Sequence, residues 1–272
     1  ASSPAMRIKE AIWFFIHHHR RNRAVARFAR LCKNIHRASE HPTYDIARNG
    51  ESAVLARVVA GPAPMLFDVG ANVGDWTVMA RERFPQATVH AFELNPATAA
   101  QLTARLGGQP GVEIHAHGLG ATTGEVTFFA YSGEQSVLSG MRAPLHSSVP
   151  HRVERSRIRT GDEFCKERGV ERIDYLKVDA EGADHEVLSG FGEMLSAQRV
   201  GAVQFEHEGG RFLRDYYDLL RPKGYVLGKL YANYVDFREH DIDQEHFLGP
   251  NYLALPAARE DLIQRLKIGW PV

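Results

Sequence analysis

From residue 65 onward, short apolar runs alternate with helix-length amphipathic stretches. MLFDV (65–69), ATVHAFEL (87–94) and VEIHAHG (112–118) read as strands. The first precedes a helix near 74–83; the second precedes one near 96–106, with Pro96 suited to a first helical turn. IDYLKVDAEG (173–182) leads into a helix near 184–196, and VGAVQFEHE (200–208) into one near 210–221 that Pro222–Gly224 ends. YVLGKLY (225–231) and NYLALP (251–256) complete the strands. Strands interleaved with helices predict βαβ units and an α/β fold, with a mostly parallel sheet covered on both faces.

Two stretches break this rhythm. EVTFFAY (125–131) and VERSRIRT (153–160) alternate and predict an antiparallel pair. Between them, residues 132–150 are rich in Gly, Ser and Pro, and are read as a lid or substrate loop.

The N-terminal segment has a different character. Residues 1–40 hold nine Lys/Arg against Glu10 and Glu40, so a chain of zero formal charge carries an equal acidic excess in its remainder. Ile8, Ile12 and Phe15, then Val25, Phe28, Cys32 and Ile35, recur at helical spacing. The predicted organisation is a basic helical extension over 1–45 and a catalytic domain over 46–272. The readings of the extension that stay open are peripheral docking on an anionic membrane through residues 6–40, binding of a polyanion, or packing on the acidic domain or a partner subunit. The His17–His19 run is read as a solvated face, since three consecutive residues fan around a helix. The opening ASSPA is set aside as a remnant outside the fold.

Composition narrows the class. With 44% hydrophobic and 24% charged residues the chain is an ordinary globular protein, long enough for one large α/β domain. Cys32 and Cys165 form no metal or disulfide pattern, which fits a reducing, cytoplasmic compartment, with the inner membrane surface as an alternative. The apolar run AIWFFI (11–16) is too short to span a bilayer, and no small-residue cleavage site follows it.

The candidate chemistry sits where strands end. In an open parallel sheet, ligands bind outside the carboxyl ends of the strands. After Asp68 the turn reads GANVG, neither a phosphate-binding GxGxxG nor a Walker loop, and suits a small nucleoside ligand. Glu93 ends the second strand roughly 20 residues on, where a carboxylate accepts ribose hydroxyls. Asp179 and Glu181 follow the fourth parallel strand; Glu206 and His207 end the fifth. These could supply a general base for a hydroxyl acceptor, or Asp179, Glu206 and His207 could hold a divalent metal such as Mg. Simpler roles stay open. Asp179 could orient a cofactor amino group, Glu181 could cap the following helix, and strand alternation lets at most one of Glu206 and His207 reach the site. His185 is expected on an exposed helix position, and His115 and His117 as packing or rim residues. Lys177, in an apolar strand, calls for a carboxylate partner.

FDVGANVGDWT (67–77), AFELNP (91–96), IDYLKVDAEGADHEVLSG (173–190) and VQFEH (203–207) resemble, in order and spacing, the FkbM family of S-adenosylmethionine-dependent methyltransferases. NGE (49–51) and NYLAL (251–255) fit as well. The resemblance implies a Rossmann-like class I methyltransferase fold with a seven-stranded sheet, its last strand antiparallel. It implies S-adenosyl-L-methionine as cofactor. Asp68, Gly70, Asn72, Gly74, Thr77 and Asp179 would lie at the methionine end, Glu93 at the ribose, and Leu94, Gly118 and Leu119 at the adenine. Ala180 and Leu94 depart from residues common in the family. The expected reaction is O-methylation of a sugar hydroxyl in a bacterial surface glycan or glycosylated metabolite. A non-sugar small-molecule or protein acceptor, and a catalytically inactive cofactor-binding scaffold, remain alternatives. No nucleic-acid substrate is expected, because DAEG stands where amino-group methylators of nucleic acids carry an aromatic-bearing motif.

Overall fold

The structure, a computed structural model, describes residues 4–40, 43–131, 151–207, 211–246, 248 and 251–271. The predicted lid, 132–150, lies outside the described residues. The chain separates into two compact units, Ala1–Pro42 and Thr43–Val272. The first consists of α1 (Pro4–His18) and α2 (Arg23–Glu40).

In the second unit, α3 (Glu51–Val58) precedes β1 (Met65–Val69), α4 (Asp75–Arg83), β2 (Thr88–Phe92), α5 (Pro96–Leu106) and β3 (Val112–His115). Then come β4 (Gly118–Leu119), β5 (Gly124–Tyr131), β6 (His151–Arg159), α6 (Gly161–Arg168) and β7 (Tyr175–Val178). The remainder holds α7 (Asp184–Ser189), α8 (Gly192–Ser196), β8 (Val203–Glu206), α9 (Leu213–Leu220), β9 (Tyr225–Leu230), β10 (Val235–Phe237), β11 (Asn251–Pro256) and α10 (Glu260–Ile268).

The main sheet runs β10-β9-β11-β8-β7-β1-β2-β3. β3, β2, β1, β7 and β8 are mutually parallel, while β11 lies between β8 and β9, antiparallel to both. This is the expected seven-stranded arrangement with an antiparallel last strand. An eighth strand, β10, adds a hairpin to its edge; three residues are too few to show a period of two in sequence. The expected antiparallel pair is also present: β5 pairs with β6, and β4 joins them in a second, three-stranded sheet.

Alternation along the strands builds two cores. Phe67, Val69, Leu176, Val178 and Phe205 face one layer, with Phe164, Phe191 and Tyr216. Leu66, Tyr175, Leu253 and Leu255 face the other, with Leu55, Trp76 and Leu262. Helix boundaries follow local chemistry: Asn95 caps α5 by accepting the Ala97 N–H, and Thr160 caps α6 by accepting that of Glu163. The helix expected over 184–196 is instead two short helices. They break at Gly190, where a Cβ would lie 2.1 Å from the Gly120 carbonyl oxygen, so this backbone crosses too closely for any side chain.

Candidate active site

Along β1, β7 and β8 almost every residue is buried, and partial exposure resumes just past their carboxyl ends. Gly70, Asn72, Val73, Leu94, Asp179, Ala180, Glu181 and Glu206 are all half-buried, at the edge where an open parallel sheet places its ligand crevice. The GANVG turn is left-handed at three positions, Gly70 (φ 79°), Asn72 (φ 49°) and Gly74 (φ 91°). A Cβ on Gly70 would lie 1.8 Å from the Asp179 carbonyl oxygen; one on Gly74 would meet the Leu102 and Leu106 methyls within 2.7 Å. Protein therefore accounts for the missing side chains: the turn must clear the end of β7 and seat α5.

Glu93 ties this turn to the next. Its Oε2 accepts the Asn72 N–H at 2.9 Å and its Oε1 that of Asn95 at 2.8 Å. Burial raises its pKa against these two donors. Each oxygen keeps a second lone pair, which suits a ligand diol at the crevice edge.

Beneath the crevice, strand register sets a polar row across the sheet. Asp68 of β1 is opposite Lys177 of β7, which is opposite Gln204 of β8, so all three project from one face. Lys177 Nζ lies 3.3 Å from Asp68 Oδ1 and 3.1 Å from Asp179 Oδ2, the carboxylate partnership its sequence position calls for. Burial opposes the Lys177 charge, but Asp179, Asp68 and Glu51 outweigh it and hold its pKa well above the ordinary range. Gln204 donates to Glu51 Oε2 at 2.7 Å and accepts from the Tyr175 hydroxyl at 2.7 Å; Asn49 and Asn251 also donate to Glu51. The NGE and NYLAL motifs thus converge on one buried carboxylate, whose pKa burial raises.

Past β7 the chain turns through Glu181, which is left-handed (φ 49°). Asp184, fully buried at the start of α7, accepts the N–H of Ala180 at 3.1 Å and that of Glu206 at 2.9 Å. Burial, reinforced by Asp179, pushes its carboxyl up to about 7 despite these two donors.

A strand order with β11 inserted antiparallel matches the arrangement that the resemblance implies. The methyltransferase FkbM domain profile matches residues 68–227, more than half of the chain. The chain belongs to the methyltransferase FkbM domain family. Its relatives include the 2-O-methyltransferase NoeI of Sinorhizobium fredii, 27% identical over 184 residues, which cover 61% of this chain and 74% of NoeI. The hexuronic acid methyltransferase AglP of Haloferax volcanii is 32% identical over 162 residues, covering 57% of this chain and 61% of AglP. Across the relatives it matches, the aligned share of their length runs from 10% to 74%. Among solved structures, a precorrin-6y C5,15-methyltransferase of Geobacter metallireducens aligns with a TM-score of 0.42 at 13% identity, covering 75% of this chain and 85% of that one.

Within this FkbM domain the predicted site residues divide into three groups. Gly70, Asn72, Glu93, Leu94, Asp179, Glu181 and Glu206 lie at the carboxyl end of the parallel strands, and Gly74 is buried against α5. Asp68 and Thr77 are fully buried, with the Thr77 hydroxyl donating to Asp68 Oδ2 at 2.7 Å. They stand behind the crevice wall and brace it through Lys177. Gly118 and Leu119 are buried in β4, where a Cβ on Gly118 would come within 2.8 Å of Leu94.

His207 departs from both of its expected roles. It is buried on the side opposite Glu206, with Nε2 3.1 Å from the Arg211 carbonyl oxygen and 3.8 Å from Glu245 Oε2, and burial lowers its pKa. The expected metal corner of Asp179, Glu206 and His207 is therefore not assembled, because strand alternation separates its carboxylate from its imidazole. Among the described residues, the group of His, Cys, Asp or Glu donors lying within 4.8 Å of one another is His90, Glu113 and His115. There the two imidazoles hydrogen-bond at 3.0 Å beside Phe92 and Phe164, and Glu113 pairs with Arg168. His115 is thus a packing residue, and His185 is half-buried beside Tyr216 rather than exposed.

Sequence reasoning missed Asp184, Glu51, Gln204 and Asn251. Asp184 carried a signal in being a carboxylate in a first helical turn. Glu51 and Asn251 sit in quoted motifs, but only the fold joins positions 200 residues apart.

Proposed function

We propose that this domain transfers the methyl group of S-adenosyl-L-methionine to a hydroxyl of a sugar, in a glycan or a glycosylated metabolite. One observation carries the reading: at the carboxyl end of the parallel strands the buried Glu93 bridges the turns after β1 and β2, while Asp179, Glu181 and Glu206 stand at the ends of the neighbouring β7 and β8. Bound there, S-adenosyl-L-methionine supplies an electrophilic sulfonium methyl open to in-line displacement by oxygen.

The chain's own residues then do three things. Glu93 accepts the two ribose hydroxyls, using the lone pairs its backbone donors leave free. Asp179, anchored by Lys177, accepts from the ligand's amino group. Glu181 or Glu206 takes the acceptor's proton as its oxygen bonds to the methyl carbon and the carbon–sulfur bond breaks, leaving a methyl ether and the thioether product. With His207 turned away, no metal enters the proposal. A sugar acceptor is supported by NoeI, a 2-O-methyltransferase, and AglP, a hexuronic acid methyltransferase.

The test pairs calorimetric titration with S-adenosyl-L-methionine and mass spectrometry of glycans from cells with and without the protein. Binding that Glu93→Ala weakens at least about tenfold, and glycans that lose one methyl group without the protein, are the expected results. Unchanged binding in Glu93→Ala overturns the ribose assignment; identical glycans overturn the acceptor.

A further inference from the structure

The first unit is not used by this chemistry, and its two helices have an unusual surface. On α2, Arg23, Arg27, Arg30, Lys33 and Arg37 fall along one side at 3.6 residues per turn. Phe28, Leu31 and Ile35 fall on the other, and all three are more than half exposed. On α1, Ile8, Ile12, Trp13, Phe14, Phe15 and Ile16 are exposed around nearly the whole circumference. Together the helices line an apolar groove of about 950 Å³ that includes Trp13, Phe14, Val25 and Ala29.

We propose that α1 and α2 dock the enzyme on the surface of an anionic phospholipid bilayer. A covering surface must be apolar opposite Phe28, Leu31 and Ile35, yet negatively charged within reach of five cations on the same helix. The headgroup–acyl boundary of an anionic membrane offers both within a few ångströms of depth. A second copy fits less well, since it brings the same excess of seven positive charges to the contact. Among the described residues no helix is long and apolar enough to cross a membrane, so the helices lie in the interface. Trp13 and Phe15 then sit at the level where aromatic rings are favoured.

The proposal is independent of the methyl-transfer reading, because its test reads no catalysis. The full chain is sedimented with vesicles of phosphatidylglycerol and phosphatidylcholine, and with vesicles of phosphatidylcholine alone, while tryptophan emission is recorded. Trp76 and Trp270 are buried, so a blue shift on vesicle addition reports Trp13. The expected result is sedimentation and a blue shift with anionic vesicles only, weakened by salt. Replacing Arg27, Arg30 and Lys33 by Gln is expected to weaken binding about a hundredfold. Phe28→Asp with Leu31→Asp is expected to abolish it, while a cooperative urea unfolding curve read from the buried Trp76 and Trp270 shows that the second unit remains folded. Absence of vesicle binding, equal binding of the variants, a dimer that Phe28→Asp dissolves, or tight retention on RNA in place of vesicles would each overturn the proposal.

Discussion

Asp184 holds the backbone N–H of Glu206 at 2.9 Å, so one buried carboxylate joins the loop after β7 to the end of β8. Those two segments carry the three half-buried acids Asp179, Glu181 and Glu206. Asp184→Ala leaves the Ala180 and Glu206 N–H groups without this acceptor and is expected to destabilise the fold by about 2 kcal/mol in urea unfolding.

The same residue sets a pH dependence. Its folded pKa, about 7, lies above the model-compound value of 3.8, so the folded state binds more protons than the unfolded one between these values. This contribution to stability is complete below pH 3.8 and is lost as pH rises through about 7. Asp184→Asn is expected to remove that decline from unfolding free energies measured across the interval.

Lys177 is the cation of a row that includes a fully buried carboxylate. Lys177→Met strands Asp68 without a countercharge and is expected to cost about 3–5 kcal/mol by thermal or urea unfolding. Adding Asp68→Asn should recover much of that loss, because the unpaired charge is gone. Equal stability of single and double variants would show that the pair is not the source.

Gly70 and Gly61 share a left-handed backbone but not a neighbourhood. A Cβ on Gly70 meets the Asp179 carbonyl oxygen at 1.8 Å, whereas one on Gly61 meets nothing within 4 Å. Gly61→Ala is expected to cost about 1 kcal/mol from backbone strain alone. Gly70→Ala should cost several times as much and eliminate cofactor binding, since the turn must leave the end of β7.

The proposed reaction leaves two candidates, Glu181 and Glu206, for the acceptor's proton. Glu181→Gln and Glu206→Gln separate them: loss of the proton acceptor is expected to lower kcat about 10²–10⁴-fold. The other change should leave kcat within about tenfold, and any effect it has should appear in KM.

The sheet was legible in sequence because most of its strands are largely buried, short and apolar, with turn residues between them. Its β1 and β2 boundaries and the Glu93 position follow from local pattern. What sequence could not show was contact across long separations. The glycines of GANVG signalled a close approach but not that Asp179 and Leu106 were the approaching groups. Alternation in sequence allowed only one of Glu206 and His207 at the site, but did not show that His207 is the one turned to Arg211 and Glu245. Gln204, one polar residue in an apolar strand, acquired meaning only once register set it beside Lys177. The helices α3, α6 and α10, absent from the sequence reading, are short or lie in stretches where charged residues mask the apolar face.

The position of β11 has a consequence for how this protein is made. β9 and β10 have no hydrogen-bonded edge on β8; residues 251–256 must slot between before that half of the sheet closes. On the ribosome, the parallel strands can assemble early, while the β9–β10 hairpin waits detached with both of its neighbours' edges open. Closure comes only when residues 251–256 emerge, and with it Asn251 reaches Glu51, so a nascent chain stalled before residue 251 would be left with that buried carboxylate unfinished and two strand edges open to aggregation.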